Sequence, residues 1–303
     1  MVSNLADFTA VLAFNFLFRG IFLTVTQSKP RYTGFNGHNN PWTDNFSAAL
    51  IMPRPIPNTQ STVLSVKSIY LWTPQEQNDP AGQSNSFQLP VIETIPKREL
   101  RRLNKLSKIA LFSSIQCTEN HNREHLATVF CSRHGDINNT LGVFSDIAHE
   151  QLVSPHIFSG SVFNMPFAYY SIFFNDKHPS TAVSSSSLQF SFGFLESVLN
   201  LNRFKPTDIL YTCADLPLEG ELQSFNDHKK LPYSISLVLA GDLSSGDILE
   251  FHYSSGTSTD KTVDPIPDAF TFYEWYTQNS TQPLTIKKGC DSFTYKKFSQ
   301  TNN

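Results

Sequence analysis

The chain has 303 residues and a mass of 34.2 kDa, with 40% hydrophobic residues, 16% charged residues and 26 phenylalanines. That is enough apolar material for a large core, which excludes wholesale disorder. A balance of 23 basic against 26 acidic residues, net −3, argues against a globally basic nucleic-acid binder.

In chain order, residues 8–18 (FTAVLAFNFLF) form the first apolar run, but Arg19 and Gly20 interrupt it before residues 21–25. A spanning helix needs about 20 largely apolar residues and tolerates a central arginine poorly. A signal peptide needs positive charge ahead of its apolar run, where this chain has Asp7 and neither lysine nor arginine. No stable membrane insertion is expected. Residues 27–60 are rich in Asn, Pro, Gly and Ser and include Pro53, Pro55 and Pro57, so they cannot donate the bonds of a helix or a central strand. Residues 1–60 therefore read as an irregular extension and linker outside the core, and 61–300 as the folded domain.

Residues 62–72 (TVLSVKSIYLW) are β-branched and aromatic and read as a strand. Thr94 offers an N-cap and Pro96 a first-turn position for a helix through the run 97–117, where Leu100, Leu103, Leu106, Ala110 and Phe112 recur at near-helical spacing. Residues 127–132 read as a short buried strand, 138–150 and 160–173 as helices, and 181–183 as another short strand. A helix over 187–204, a strand over 208–213 and a strand pair at 233–240 and 247–253, joined by a turn at 241–246, follow. One more helix is expected at 268–277. Strands alternating with helices predict an α/β layered domain.

The chemistry-bearing patterns are few. Neither GxGxxG nor GxxxxGK[ST] occurs, so no phosphate-binding loop and no cofactor is implied. Cys117, Cys131, Cys213 and Cys290 are too scattered for a disulfide scaffold and suit a reducing, cytoplasmic compartment. Cys117, His121, His125 and Cys131 have a spacing that matches no common zinc module, and Cys131 falls inside an apolar strand, so no metal site is expected. The serines at 184–187 directly precede an apolar helix. A hydroxyl there is either a cap or a nucleophile beside N–H groups that stabilise negative charge. His134, in the segment SRHG, is the nearest candidate base or a loop histidine making a local hydrogen bond.

Five segments in order, PKRELRRLNKLS (96–107), FCSRHGDINNTL (130–141), LVSPHIFSGSVFN (152–164), residues 179–196 and DILYTCADLP (208–217), resemble the β-ketoacyl synthases. The resemblance is greatest to the short N-terminal-like proteins of aryl polyene and related fatty-acid-like pathways, and it covers roughly residues 62–298. It implies a thiolase-like half-domain with a central mixed β-sheet covered by helices. Counting from Pro179, the position matching the family's acyl-accepting cysteine is Ser187, a hydroxyl far less acidic than a thiol. The half that carries the family's catalytic histidines and lysine is not in this sequence.

The resemblance therefore implies a non-catalytic homologue, an accessory or chain-length-factor-like subunit that works with a catalytic ketosynthase and an acyl carrier protein as a homo- or heterodimer. Two alternatives stand beside it. One is a serine-dependent acyltransferase or hydrolase acting on carrier-protein thioesters, with Ser187 as nucleophile and His134 as helper. The other is a scaffold that binds the carrier protein. A base within reach of Ser187 favours the enzyme; a large exposed apolar face favours the subunit. Lys97, Arg98, Arg101, Arg102, Lys105 and Lys108, against Glu99 alone, form a basic stripe expected on one helix face. That stripe is a solvated surface or a docking site for acidic carrier protein. Nucleic acid is not expected there, since nothing aromatic accompanies it.

Overall fold

The computed structural model describes residues 61–74, 87–185, 187–203, 208–226, 231–256, 266–278, 280 and 282–298. The N-terminal extension lies outside them. β1 (Thr62–Trp72) is followed by α1 (Lys97–Leu100), α2 (Lys105–Cys117), β2 (Leu126–Cys131), α3 (Ile137–Ala148), α4 (Pro155–Gly160) and α5 (Met165–Phe173). The chain continues through β3 (Ser180–Val183), α6 (Gln189–Arg203), β4 (Asp208–Asp215), β5 (Tyr233–Ala240), β6 (Asp247–Ser255), α7 (Asp268–Thr277), β7 (Leu284–Lys288) and β8 (Asp291–Lys297).

The eight strands form one mixed sheet in the order β3-β2-β4-β5-β1-β6-β8-β7. β3, β2 and β4 run parallel, and every pairing from β4 outward to β7 is antiparallel. Alternation along the strands divides the core in two. Leu126 and Phe130 face α2 and α5, whereas Ala127, Val129 and Cys131 face α6 and α7. β2 and β5 are buried along their full length, as strands covered on both faces must be.

On the α6 side the filling is aromatic. Phe190 and Phe194 point from α6 into rings of Phe272, Phe251 and Tyr295, with centroids 4.8 Å apart for Phe190–Phe272 and 5.1 Å for Phe194–Phe251. Gly193 lets α6 come this close. A Cβ there would stand 2.5 Å from Tyr211 Oη and 2.8 Å from Cys131 Cβ. On the α2 side a layer of hydroxyls is sealed in instead: Ser113 meets Ser234 and Ser236, and Ser114 meets Thr212 at 2.9 Å. Each of these hydroxyls has a partner, so their burial carries no orphan penalty.

Several expectations are corrected. The helix expected over 97–117 is two helices. Asn104 breaks it, because its side chain accepts from Ser107 N at 2.7 Å and caps α2 while its amide donates to Gly160 O at 2.6 Å. Thr94 plays no capping part; Pro96 occupies the N-cap position of α1. The basic residues consequently do not share one helix face: Lys97 and Arg98 lie on α1, Arg101 and Arg102 in the turn, Lys105 and Lys108 on α2. The helix expected over 160–173 begins only at Met165, as α5, and Gly160 instead closes the separate helix α4. β5 and β6 do not pair with each other; β1 lies between them, bonded to both. Finally, the β7–β8 hairpin was not expected at all.

Candidate functional site

The parallel strands β2, β3 and β4 end together, and the carboxyl ends of such strands are where open α/β sheets carry ligands. At this end, Asp215 closes β4 and accepts four hydrogen bonds. Ser132 Oγ and Arg133 N donate to Oδ1 at 2.8 Å each; Gln189 Nε2 and Tyr233 Oη donate to Oδ2 at 3.0 Å each. One carboxylate thus ties the loop after β2, the first residue of α6 and the start of β5 together. With its acceptor sites filled, it holds geometry and has none left to take a substrate proton.

Ser187 follows β3 by four residues and stands two before the first helical residue of α6, half-buried. The next residue, Leu188, carries a left-handed backbone with φ of 50° and buries its side chain in the core at 7% exposure. A bulky residue in that region costs about 1–3 kcal/mol. In a nucleophile elbow the reactive side chain sits at such a strained position between a strand and a helix. Here the strained position holds leucine. Ser184 Oγ donates to Arg133 O at 2.9 Å and Ser185 Oγ to Ser187 O at 2.7 Å, which uses those two hydroxyls to pin the turn.

The N-terminus of α6 is occupied as well. Asp268, the first residue of α7, accepts from Ser191 N at 2.8 Å and from Phe190 N at 3.3 Å. Burial raises its carboxyl from 3.8 to about 6, partly offset by those backbone donors. The cap of α6 comes from 78 residues downstream rather than from the serine run. Two amides of the first turn of α6 are thereby engaged by this carboxylate.

His134 is exposed in the loop between β2 and α3. With Arg133, Gln189, Asp215, Phe225 and Tyr233 it lines a cavity of about 50 Å³. Pockets for drug-sized ligands run to roughly 300–1,000 Å³, and this one is small beside them. Cys117 and Cys131 are both buried and engaged: Cys117 Sγ donates to Ser236 O at 3.3 Å and Cys131 Sγ to Gln189 O at 3.0 Å. Burial pushes the Cys117 thiol up to about 12, where it is inert as a thiolate ligand. Among the described residues no group of three or more His, Cys, Asp or Glu is placed to hold a metal ion. Of the basic residues, Lys97, Arg98, Arg101, Arg102 and Lys105 are exposed and Lys108 is half-buried. Arg102 pairs with Glu99 and Lys105 with Glu219, each at 3.4 Å. Sequence reasoning missed Gln189, Tyr233 and Asp268, whose roles depend on contacts between distant strands and helices.

A mixed sheet with helices on both faces, a parallel trio at one edge and a strand–helix elbow at its carboxyl end define a thiolase-like half-domain. The model of the family "Beta-ketoacyl synthase, N-terminal domain" matches residues 72–290, and the chain belongs to that family. Among solved structures it resembles a chain of the complex of the ketosynthase ApeO with its chain length factor ApeC from Xenorhabdus doucetiae. That likeness has 17% identity and a TM-score of 0.60 over 79% of this chain and 98% of the other. A β-ketoacyl synthase from Burkholderia phymatum STM815 matches with 13% identity and a TM-score of 0.49, over 67% of each chain. The ishigamide ketosynthase/chain length factor matches with 10% identity and a TM-score of 0.46, over 64% of this chain and 67% of the other. No curated protein sequence matches. No helix among the described residues is long and apolar enough to cross a membrane.

Proposed function

We propose that this chain is a non-catalytic, chain-length-factor-like subunit that pairs with a catalytic ketosynthase in fatty-acid- or polyketide-like biosynthesis of the aryl polyene type. The observation that carries the reading is the apolar outer surface of α3 and α4. Leu141, Phe144 and Ile147 recur every three residues along α3 and are 40–56% exposed, while Val143 is the one α3 residue that is buried. Ile157 and Phe158 on α4 are 40% and 49% exposed, and α4 buries only Gly160. Asn139 Nδ2 donates to Ile157 O at 3.2 Å and joins the two helices into one surface. A contiguous exposed patch of large apolar side chains marks a surface that another protein covers. The complex of ketosynthase and chain length factor named for the Xenorhabdus structure suggests the kind of partner.

The leucine at the elbow, the amides taken up by Asp268 and the small cavity all support a subunit without its own acyl-transfer chemistry. The exposed basic residues 97–105 support a second contact, with acidic acyl carrier protein, made mostly through long-range steering. Co-expression with a ketosynthase from the same organism tests the main reading. A stable complex is expected, weakened about tenfold or more by Phe144→Glu with Phe158→Glu. Failure of the wild-type chain to associate with any ketosynthase of that organism sinks it.

A further inference from the structure

Away from the elbow, two histidines meet at the opposite end of the parallel strands. His125 immediately precedes β2, and His178 stands two residues before β3. Their ring centroids are 5.5 Å apart with the planes at 78°. His178 is fixed in orientation by Asp176, whose Oδ1 lies 2.8 Å from His178 Nδ1 and also accepts the His178 backbone N–H at 3.0 Å. The Asp176 side chain is 3% exposed and that of His178 31% exposed, so a buried carboxylate holds one edge of a partly exposed imidazole. A proton on Nδ1 shared with a carboxylate leaves Nε2 as a lone-pair donor, the arrangement that supports a ligating histidine. His125 is exposed and can turn about its ring torsion.

From these contacts we infer that His125 and His178 form a two-histidine site for a divalent transition-metal ion of the zinc class, with Asp176 as the outer carboxylate. Imidazole suits zinc, nickel and copper(II), and water completes a sphere that has two protein ligands. At metal–nitrogen distances near 2.0–2.1 Å, two tetrahedrally placed imidazoles bring their ring centres to about 5 Å, close to the spacing already present. The nearby guanidinium of Arg123 is turned away, bonded to Thr118 Oγ1 and Ile115 O at 3.0 Å each and lying over Phe174. The placement gives the ion a mechanical role. β3 is one of the two edge strands of the sheet and is held at its start by Thr128 N donating to Pro179 O at 2.9 Å. A metal bridging residues 125 and 178 clips the edge strand to β2 at that same point. The site is independent of the subunit reading, because neither histidine belongs to the α3–α4 surface.

The test is equilibrium dialysis and calorimetric titration of the metal-stripped full chain with Zn²⁺, in a Cys290→Ser background so that the exposed thiol does not contribute. One Zn²⁺ per chain in the micromolar range is expected, lost in His125→Gln and in His178→Gln. Asp176→Asn keeps both ligands and weakens binding about 10–100-fold. Zn²⁺ also slows amide exchange at residues 180–183 in the parent and not in the histidine variants. Binding of equal stoichiometry and affinity in the parent and both glutamine variants overturns the site, and so does the absence of binding below millimolar Zn²⁺.

Discussion

At the scale of single residues, the site is defined by which groups are already committed. Gly193 is fixed by space: its α-hydrogen faces Tyr211 and Cys131, and a methyl would overlap both. Gly193→Ala should lower unfolding free energy by about 1–3 kcal/mol or more in urea melts, since the packed aromatic face cannot yield. Asp268 is fixed by charge. A carboxyl raised in the fold adds stability that is fully present below its unfolded value near 3.8 and is lost as pH rises through about 6. The stability of wild type relative to Asp268→Asn should therefore fall between pH 4 and 6 and then level off. A flat difference over that window removes Asp268 as the titrating group. Ser187 is the contrasting case, a hydroxyl ahead of a helix whose first amides are capped by Asp268. Ser187→Ala should leave both assembly and product formation by the complex unchanged, and a wild-type acyl-serine adduct abolished by that substitution would restore the transferase reading.

At the scale of elements, what the sequence disclosed follows the range of the interactions involved. β1 and α7 were legible to the residue, because a β-branched alternation and an aromatic helix opening after Pro267 are local signals. The break at Asn104 is local too, yet the helical spacing of Leu100, Leu103 and Leu106 ran across it and masked an asparagine that prefers the cap. The β7–β8 hairpin carries alternation in Leu284, Ile286, Phe293 and Tyr295 and a turn glycine, Gly289, with φ of 62°, but Lys287, Lys288, Lys296 and Lys297 dilute that apolar pattern. The cap of α6 by Asp268 had no local trace at all. Splitting the basic run between α1, a turn and α2 changes the expected docking behaviour. Exposed charges on three short pieces steer an acidic partner without setting its register, and each surface pair contributes little. Reversing Arg98, Arg101 and Arg102 to glutamate should slow association with the cognate carrier protein several-fold at low ionic strength, an effect that fades by about 0.5 M salt, and should leave the melting temperature within a degree or two. Association rates that do not move with charge reversal leave the basic run as a solvated surface.

At the scale of the whole molecule, burial is distributed unevenly, and that unevenness makes the subunit reading testable without a ketosynthase assay. β2 and β5 bury every residue, and their amides are bonded on both sides within the sheet. α3 and α4 bury one residue each, Val143 and Gly160, while showing solvent a row of leucine, isoleucine and phenylalanine. Local opening free energy follows buried apolar contact, so the isolated chain should exchange amides in two classes. Residues 137–160 should exchange orders of magnitude faster than β2, β4 and β5, whose protection tracks global unfolding. A partner that covers the apolar face supplies the missing contacts, and binding coupled to ordering raises protection where the contacts form. Hydrogen exchange with mass analysis should then show slowing of roughly tenfold or more confined to α3 and α4 on adding the ketosynthase, with the central strands unchanged in rank. Exchange from α3 and α4 in the isolated chain as slow as from β4 means that these helices are already held by the domain itself, and the apolar row then loses its claim to be an interface.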